Sequence, residues 1–340
     1  MKKSFLAALV LGLLVLAASA ACAADPIKVG YLANLTGEGA SWGQHEQNGA
    51  ILAVEEINKK GGVLGRPLAL VVYDAKGRPE DAINAVRRMI TVDKVVAIGG
   101  ANYSGINIAT APIAAQGKVP QIGSFATNPF VTVDPKTKKA RPYSFRICFT
   151  DPYQGKVMAE YLYKKLGVRK AAILSDVGSD YSEGMTEYFI KTFKGLGGTV
   201  ESFKYRSGDV DFRAQLTNAK QSGATALVMP DLYKEMALMM KQAHELDWKP
   251  YFIGGDGYSN NMHEIAGPAM EGSYWVYHLS FDDPKIRPRI EKYTKRFGQA
   301  PTEVVNTVAG YDILYWIADA IKRAKKPEGP AVRDALASTK

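Results

Sequence analysis

The chain is predicted to be an α/β protein of two lobes, each a mostly parallel β-sheet flanked by helices. Three observations carry this. Short apolar runs alternate with longer stretches of 3.6-residue periodicity, the alternation starts afresh after Asp151, and 340 residues with 46% hydrophobic content exceed what one core serves while sufficing for two.

Residues 1–23 read as a signal peptide: Lys2 and Lys3 precede an apolar run from Phe5 to Ala18, and small residues follow around Ala21-Cys22-Ala23. The run is shorter than the ~20 residues a bilayer requires, so a cleavable leader is expected in preference to a membrane anchor. Cys22 as a lipid-modified N-terminus is the other reading. Ser19 argues against it, because a lipoprotein signal usually has an aliphatic residue three before the cysteine. A periplasmic product is therefore expected. With the leader gone, Cys148 is the only cysteine, and no intramolecular disulfide forms despite the oxidising compartment. The formal charge of +9 falls to about +7 without Lys2 and Lys3. It is spread over runs such as 136–141 and 322–326, which read as solvated faces, so no nucleic-acid partner is expected.

After the leader, a strand at 27–31 precedes a helix at 43–60. In that helix Ile51, Val54 and Ile57 share one face, Glu55, Glu56 and Lys59 face water, and Gly61-Gly62 supply the permissive backbone that ends it. An apolar strand follows at 68–74. Further units are a strand at 95–99, a helix at 104–117 and a strand at 119–123. A Pro-, Lys- and Thr-rich excursion at 134–142 precedes extended chain at 143–148. Beyond Asp151 come helix 153–166, strand 171–175, helix 182–196, strand 199–205, helix 211–221, strand 226–229, helix 233–246 and strand 251–254. This is βαβ grammar, whose ligands bind beyond the carboxyl ends of the strands. Those ends are 34–42, 100–104, 124–128, 176–181, 230–233 and 255–258. They are rich in Gly, Ser, Thr, Asn, Tyr and Asp, as polar-ligand recognition and ordinary loops both favour.

Several of these segments occur in a familiar order: Asn34-Leu35-Thr36-Gly37, the 43–58 helix, Lys60-Gly61-Gly62-Val63-Leu64-Gly65-Arg66-Pro67, Ala126-Thr127-Asn128-Pro129, Asp180-Tyr181-Ser182-Glu183-Gly184 and Gly254-Gly255-Asp256-Gly257. In this the chain resembles, over residues 26–338, the branched-chain amino-acid (Leu/Ile/Val-binding) type of periplasmic solute-binding protein. The resemblance implies a periplasmic-binding-protein type I fold: two Rossmann-like lobes joined by three crossovers, closing on a solute and delivering it to an ABC importer. It places lobe 1 at 24–147 and 278–325, lobe 2 at 148–277 and 326–340, and the crossovers near 146–151, 274–278 and 325–329. Members usually continue beyond 335–338, so the C-terminus is expected to be incomplete. A monomer without cofactor or metal is expected.

The resemblance also implies a ligand site. Trp42 falls where an aromatic covers the ligand; the alternative is a packing Trp. Asn102, Tyr103 and Ser104, with Phe125, Ala126 and Thr127, resemble two loops that grip an α-carboxylate. A helix N-terminus at Ser104 suits an anion, and Ser104 is equally suited to be a plain N-cap. Tyr181 resembles an aromatic that closes from the second lobe. Asp256 stands where an acid accepts hydrogen bonds from an α-ammonium, although Asp in a Gly-rich turn also has local reasons to occur. Asp231 and Tyr233 follow another strand and match less well. The aromatics point to an aliphatic or aromatic amino acid, while Asn102 and Asp231 admit something more polar.

Enzymatic readings fare worse. Gly37-Glu38-Gly39 follows the first strand, but Trp42 replaces the third glycine of a dinucleotide fingerprint. The four histidines (His45, His244, His263 and His278) show no metal-ligand spacing, and there is no nucleophile elbow or P-loop. Closer rivals are a ligand-sensing regulatory module of the same fold and a receptor for an aromatic acid or an amide, since fold does not fix ligand.

Overall fold

The computed structural model describes residues 25–339; the expected leader and Cys22 lie outside them. The first sheet contains β1 (Ile27–Ala33), β2 (Leu68–Asp74), β3 (Ile98–Gly100), β4 (Gln121–Gly123) and β5 (Ser144–Arg146). The second contains β6 (Lys170–Asp176), β7 (Thr199–Tyr205), β8 (Ala226–Met229), β9 (Tyr251–Gly254) and β10 (Tyr274–Trp275). Both are wholly parallel, ordered β2-β1-β3-β4-β5 and β7-β6-β8-β9-β10. The first-formed strand of each sheet therefore lies inside, where the order reverses. β1 pairs with β2 from Ile27↔Leu68 to Ala33↔Asp74, and β6 with β7 from Lys170↔Thr199 to Asp176↔Tyr205. Such a reversal opens a crevice at the strands' carboxyl ends.

Lobe 1 carries α1 (Ala40–Lys59), α2 (Pro79–Arg88) and α3 (Ser104–Gly117); lobe 2 carries α4 (Asp151–Glu160), α5 (Asp180–Gly195), α6 (Arg213–Gln221), α7 (Tyr233–Glu245) and α8 (Met262–Ala266). Three further helices, α9 (Arg287–Phe297), α10 (Val304–Ala324) and α11 (Gly329–Ala337), return to lobe 1. Ile313, Leu314, Ile317 and Ile321 of α10 join Val29, Tyr31 and Ile57 in one buried core. There α1 and α10 touch backbone to backbone: a Cβ on Gly49 would stand 2.0 Å from the Thr307 carbonyl oxygen, and one on Gly310 1.9 Å from that of Glu46. Among the described residues no helix is long and apolar enough to cross a membrane.

One boundary needs correction. Residues 326–340 were expected in lobe 2, but Val332, Ala335 and Leu336 of α11 are buried in the lobe 1 core. Their i, i+3, i+4 spacing makes one apolar stripe, which lies on α10. Residues 325–328 are thus a turn between two lobe 1 helices, with Lys325 in the left-handed region at φ 57°, and not a crossover. Among the described residues the chain passes from lobe 1 to lobe 2 between β5 and α4, and back again between β10 and α9. The 95–99 and 119–123 strands are shorter than expected, starting at Ile98 and Gln121, and the 153–166 helix passes into a π turn at Tyr161–Lys165.

Candidate functional site

A cleft of about 500 Å³ lies between the lobes at the carboxyl ends of both sheets. Of the ten sequence-predicted residues, Trp42, Asn102, Tyr103, Ser104, Phe125, Tyr181, Asp231 and Asp256 line it. Ala126 and Thr127 do not. They are fully buried behind Phe125, where the Ala126 carbonyl accepts from Arg146 Nη1 (2.8 Å) and the Thr127 carbonyl from Asp151 N (3.0 Å). Only Phe125 of that loop turns inward, its ring 4.7 Å from that of His278.

On lobe 1 the loop after β1 is shaped by Gly39, in the left-handed region at φ 74°, and Gly43, whose Cβ would strike the Asn34 carbonyl at 1.9 Å. That close approach sets Trp42, 5% exposed, edge-on to Tyr103 (centroids 6.5 Å apart) and to Tyr233 of the other lobe (5.0 Å). Asn34 joins two lining loops, donating to Asn102 Oδ1 (2.9 Å) and accepting from Gly77 N (3.1 Å). Ser104 is the first residue of α3 rather than its cap; the cap position is Tyr103, with no side-chain bond. Ser104 Oγ instead accepts from Asn128 N (3.2 Å), leaving its hydroxyl proton free. The N–H groups of Ser104, Gly105 and Ile106 precede the first helical bond, Asn107 N to the Tyr103 carbonyl, and carry the positive end of the helix dipole.

On lobe 2, Asp256 is held at both oxygens: Oδ1 accepts from Gln154 Nε2 (2.9 Å) and Oδ2 lies 2.8 Å from His278 Nε2. Gln154 Oε1 in turn accepts from Asp256 N (2.9 Å), and the His278 ring stacks on Phe149 at 3.9 Å. Tyr181 OH accepts from Gly257 N (3.2 Å). Asp231 Oδ1 accepts from its neighbour Leu232 N (2.7 Å), while Oδ2 has no partner. Burial, then the nearby Glu235, push the Asp231 carboxyl well above the usual range. Burial and the Glu38 carboxylate raise Glu235 to about 7. Beneath the cleft Glu46, 1% exposed, accepts from Ser124 Oγ (3.1 Å), Asn306 Nδ2 (3.3 Å) and Tyr31 OH (3.4 Å); burial holds its carboxyl at about 8.

The lobes are closed on one another. Asn128 Nδ2 donates to the Asp180 carbonyl (2.6 Å), Ser259 Oγ to Glu303 Oε1 (2.5 Å) and Asn260 Nδ2 to the Thr302 carbonyl (2.5 Å). Sequence reasoning missed Glu38, Glu235, Tyr277, His278 and Asn306 in the lining and Gln154 behind it. Glu38 sat inside a recognised strand-end loop and Glu235 one helical turn beyond another. His278 and Gln154 carry no local signal, being brought to Asp256 only by the fold.

A family model described as "Periplasmic binding protein" matches residues 26–340. The leucine-, isoleucine-, valine-, threonine-, and alanine-binding protein of Pseudomonas aeruginosa is 30% identical over 324 residues, 94% of this chain and 84% of its own. The crystal structure of leucine binding protein LivK from Thermotoga maritima matches with a TM-score of 0.83 at 34% identity, covering 91% of this chain and 87% of that one. An ABC-transporter solute binding protein of Rhodopseudomonas palustris BisB5, solved with 3,4-dihydroxy benzoic acid, gives 0.78 at 26%, covering 92% and 85%. The chain belongs to the periplasmic binding proteins of the ABC-transporter type, an extracytoplasmic family, and is related to its branched-chain amino-acid binders.

Proposed function

We propose that the protein is an extracytoplasmic receptor that traps an amino acid between its lobes and hands it to the membrane subunits of an ABC importer. One observation carries the reading: one cleft meets the unpaired N-terminus of α3 from one lobe and the carboxylate of Asp256 from the other. Ser104 and the N–H groups at 104–106 would take the α-carboxylate. Asp256, oriented by Gln154 and His278, would take the α-ammonium through charge-assisted bonds. Trp42, Tyr103, Phe125 and Tyr181 would enclose the ligand and exclude water. Asn102 and Asp231 would meet its side chain, and Ala126 and Thr127 would act indirectly, by holding the loop that presents Phe125. The leader at 1–23 and a monomeric state complete the proposal.

A receptor for an aromatic acid is the second reading, favoured by the 3,4-dihydroxy benzoic acid complex among the structural neighbours. Such a ligand lacks the ammonium. Asp256→Ala therefore separates the two: calorimetric titration should show at least a tenfold loss for an amino acid, because removing a desolvated charge partner costs ~2 to 5 kcal/mol. An unchanged affinity would favour the aromatic acid.

A further inference from the structure

The protein is basic overall, yet the residues lining its cleft include six acids (Glu38, Asp176, Asp180, Asp231, Glu235 and Asp256) and no Lys or Arg. Two of the six already have partners within the protein at both carboxyl oxygens. Asp176 receives Gly178 N, Ser207 N and the Ser207 hydroxyl, and Asp256 is held by Gln154 and His278. Asp231 and Glu235 are different. They are only 4% and 7% exposed, and each keeps one carboxyl oxygen, Oδ2 and Oε2, buried with no hydrogen-bond partner. The hydroxyl of Tyr103, which feels the charges of Glu38, Glu235 and Asp231, is buried and unpartnered as well. Three unfilled polar groups thus converge on one part of the cavity, which Trp42 also lines. Native structures rarely leave such groups unpaired, so a ligand group is the natural partner.

Resting on the amino-acid reading above, we propose that Asp231, Glu235 and Glu38 form a cation subsite, so that the amino acid captured carries a second positive group on its side chain. The arrangement asks for donors: two carboxyl oxygens and a phenol oxygen accept, and no Lys or Arg lines the cleft to neutralise them. An ammonium or guanidinium supplies several N–H donors and the compensating charge in one group. Among the described residues no three His, Cys, Asp or Glu side chains are arranged to hold a metal ion, and the proposal commits to an organic cation. Trp42, which lines the cleft beside them, suits it further, since an indole ring attracts a cation.

The test is calorimetric titration of the full chain, unfolded and refolded to strip bound solute, with pairs of near-isosteres: L-arginine against L-citrulline, and L-lysine against L-norleucine. Leucine, phenylalanine and 3,4-dihydroxybenzoate complete the panel. Each cationic amino acid should bind at least tenfold tighter than its neutral partner, and Asp231→Asn and Glu235→Gln should each remove most of that difference. Tighter binding of leucine, phenylalanine, citrulline or norleucine would overturn the cation subsite while leaving the amino-acid reading intact. Binding of the aromatic acid alone, or of nothing in the panel, would overturn both. A preference that survives in both folded variants would overturn the assignment to these residues.

Discussion

Glu46→Gln tests the buried network on which the cleft floor rests. Glu46 is fully enclosed, accepts three side-chain hydrogen bonds, and has its carboxyl raised by burial to about 8 from an ordinary value of 4.5. A folded carboxyl with a raised pKa binds more protons than the unfolded chain does between those two values. Its stabilisation is therefore full below about pH 4.5 and is lost as pH rises, disappearing above about pH 8. A rise from 4.5 to about 8 corresponds to a loss on the order of 5 kcal/mol across that window. An amide of the same shape keeps an acceptor for Ser124 and Asn306 and does not titrate. Denaturant unfolding of wild type and Glu46→Gln from pH 5 to pH 9 should give curves that cross: wild type equal or more stable at the acid end, the variant more stable at the alkaline end. Parallel curves would refute the claim that Glu46 is protonated in the folded protein at neutral pH.

Gly310→Ala should lower stability by several kcal/mol, because its Cβ would stand 1.9 Å from the Glu46 carbonyl and force two helix backbones apart; thermal unfolding against Gly195→Ala, where an added Cβ meets nothing within 4 Å, is the internal control. Leu336→Ala, which opens a hole under α11, should cost ~2 to 5 kcal/mol by the same assay, and a neutral result would mean that α11 does not belong to the lobe 1 core. Stripping the bound solute should open the lobes. Solution X-ray scattering would then give a larger radius of gyration than in the liganded state, and equal radii would count against hinge closure.

Much of this architecture was readable from local pattern. The strands at 68–74, 226–229 and 251–254 are largely continuous apolar runs next to Pro, Asp or Gly, that at 199–205 is a mixed run of β-branched, aromatic and polar residues after Gly198, and the observed limits of all four coincide with those expected. The strand-end loops, where a parallel sheet places its ligand, contain the eight lining residues that the family resemblance singled out. What escaped depends on contacts remote in sequence. No local signal says that α11 follows α10, which the resemblance alone had returned to lobe 1, into a core begun at Ile27, nor that Gln154 and His278, 102 and 22 residues from Asp256, meet it there. The turning of Ala126 and Thr127 away from the cleft was equally hidden, since it follows from the grip of Arg146 on the Ala126 carbonyl.

The return of α10 to the first lobe imposes an order on how the molecule is built. Residues 151–275 hold a complete sheet with two buried cores of their own, so this lobe is able to condense as soon as it has been synthesised or translocated. The lobe that begins first must wait. Until residues 304–324 arrive, Val29, Tyr31 and Ile57 lack the side chains of Ile313, Leu314 and Ile317 against which they pack, leaving one face of the first sheet uncovered. Contacts spanning more than 250 residues close slowly, so the first lobe is expected to become compact after the second. The late helix thus acts as a timer, and substitutions that weaken its docking should retard folding of the first lobe while leaving the second to fold at its own pace.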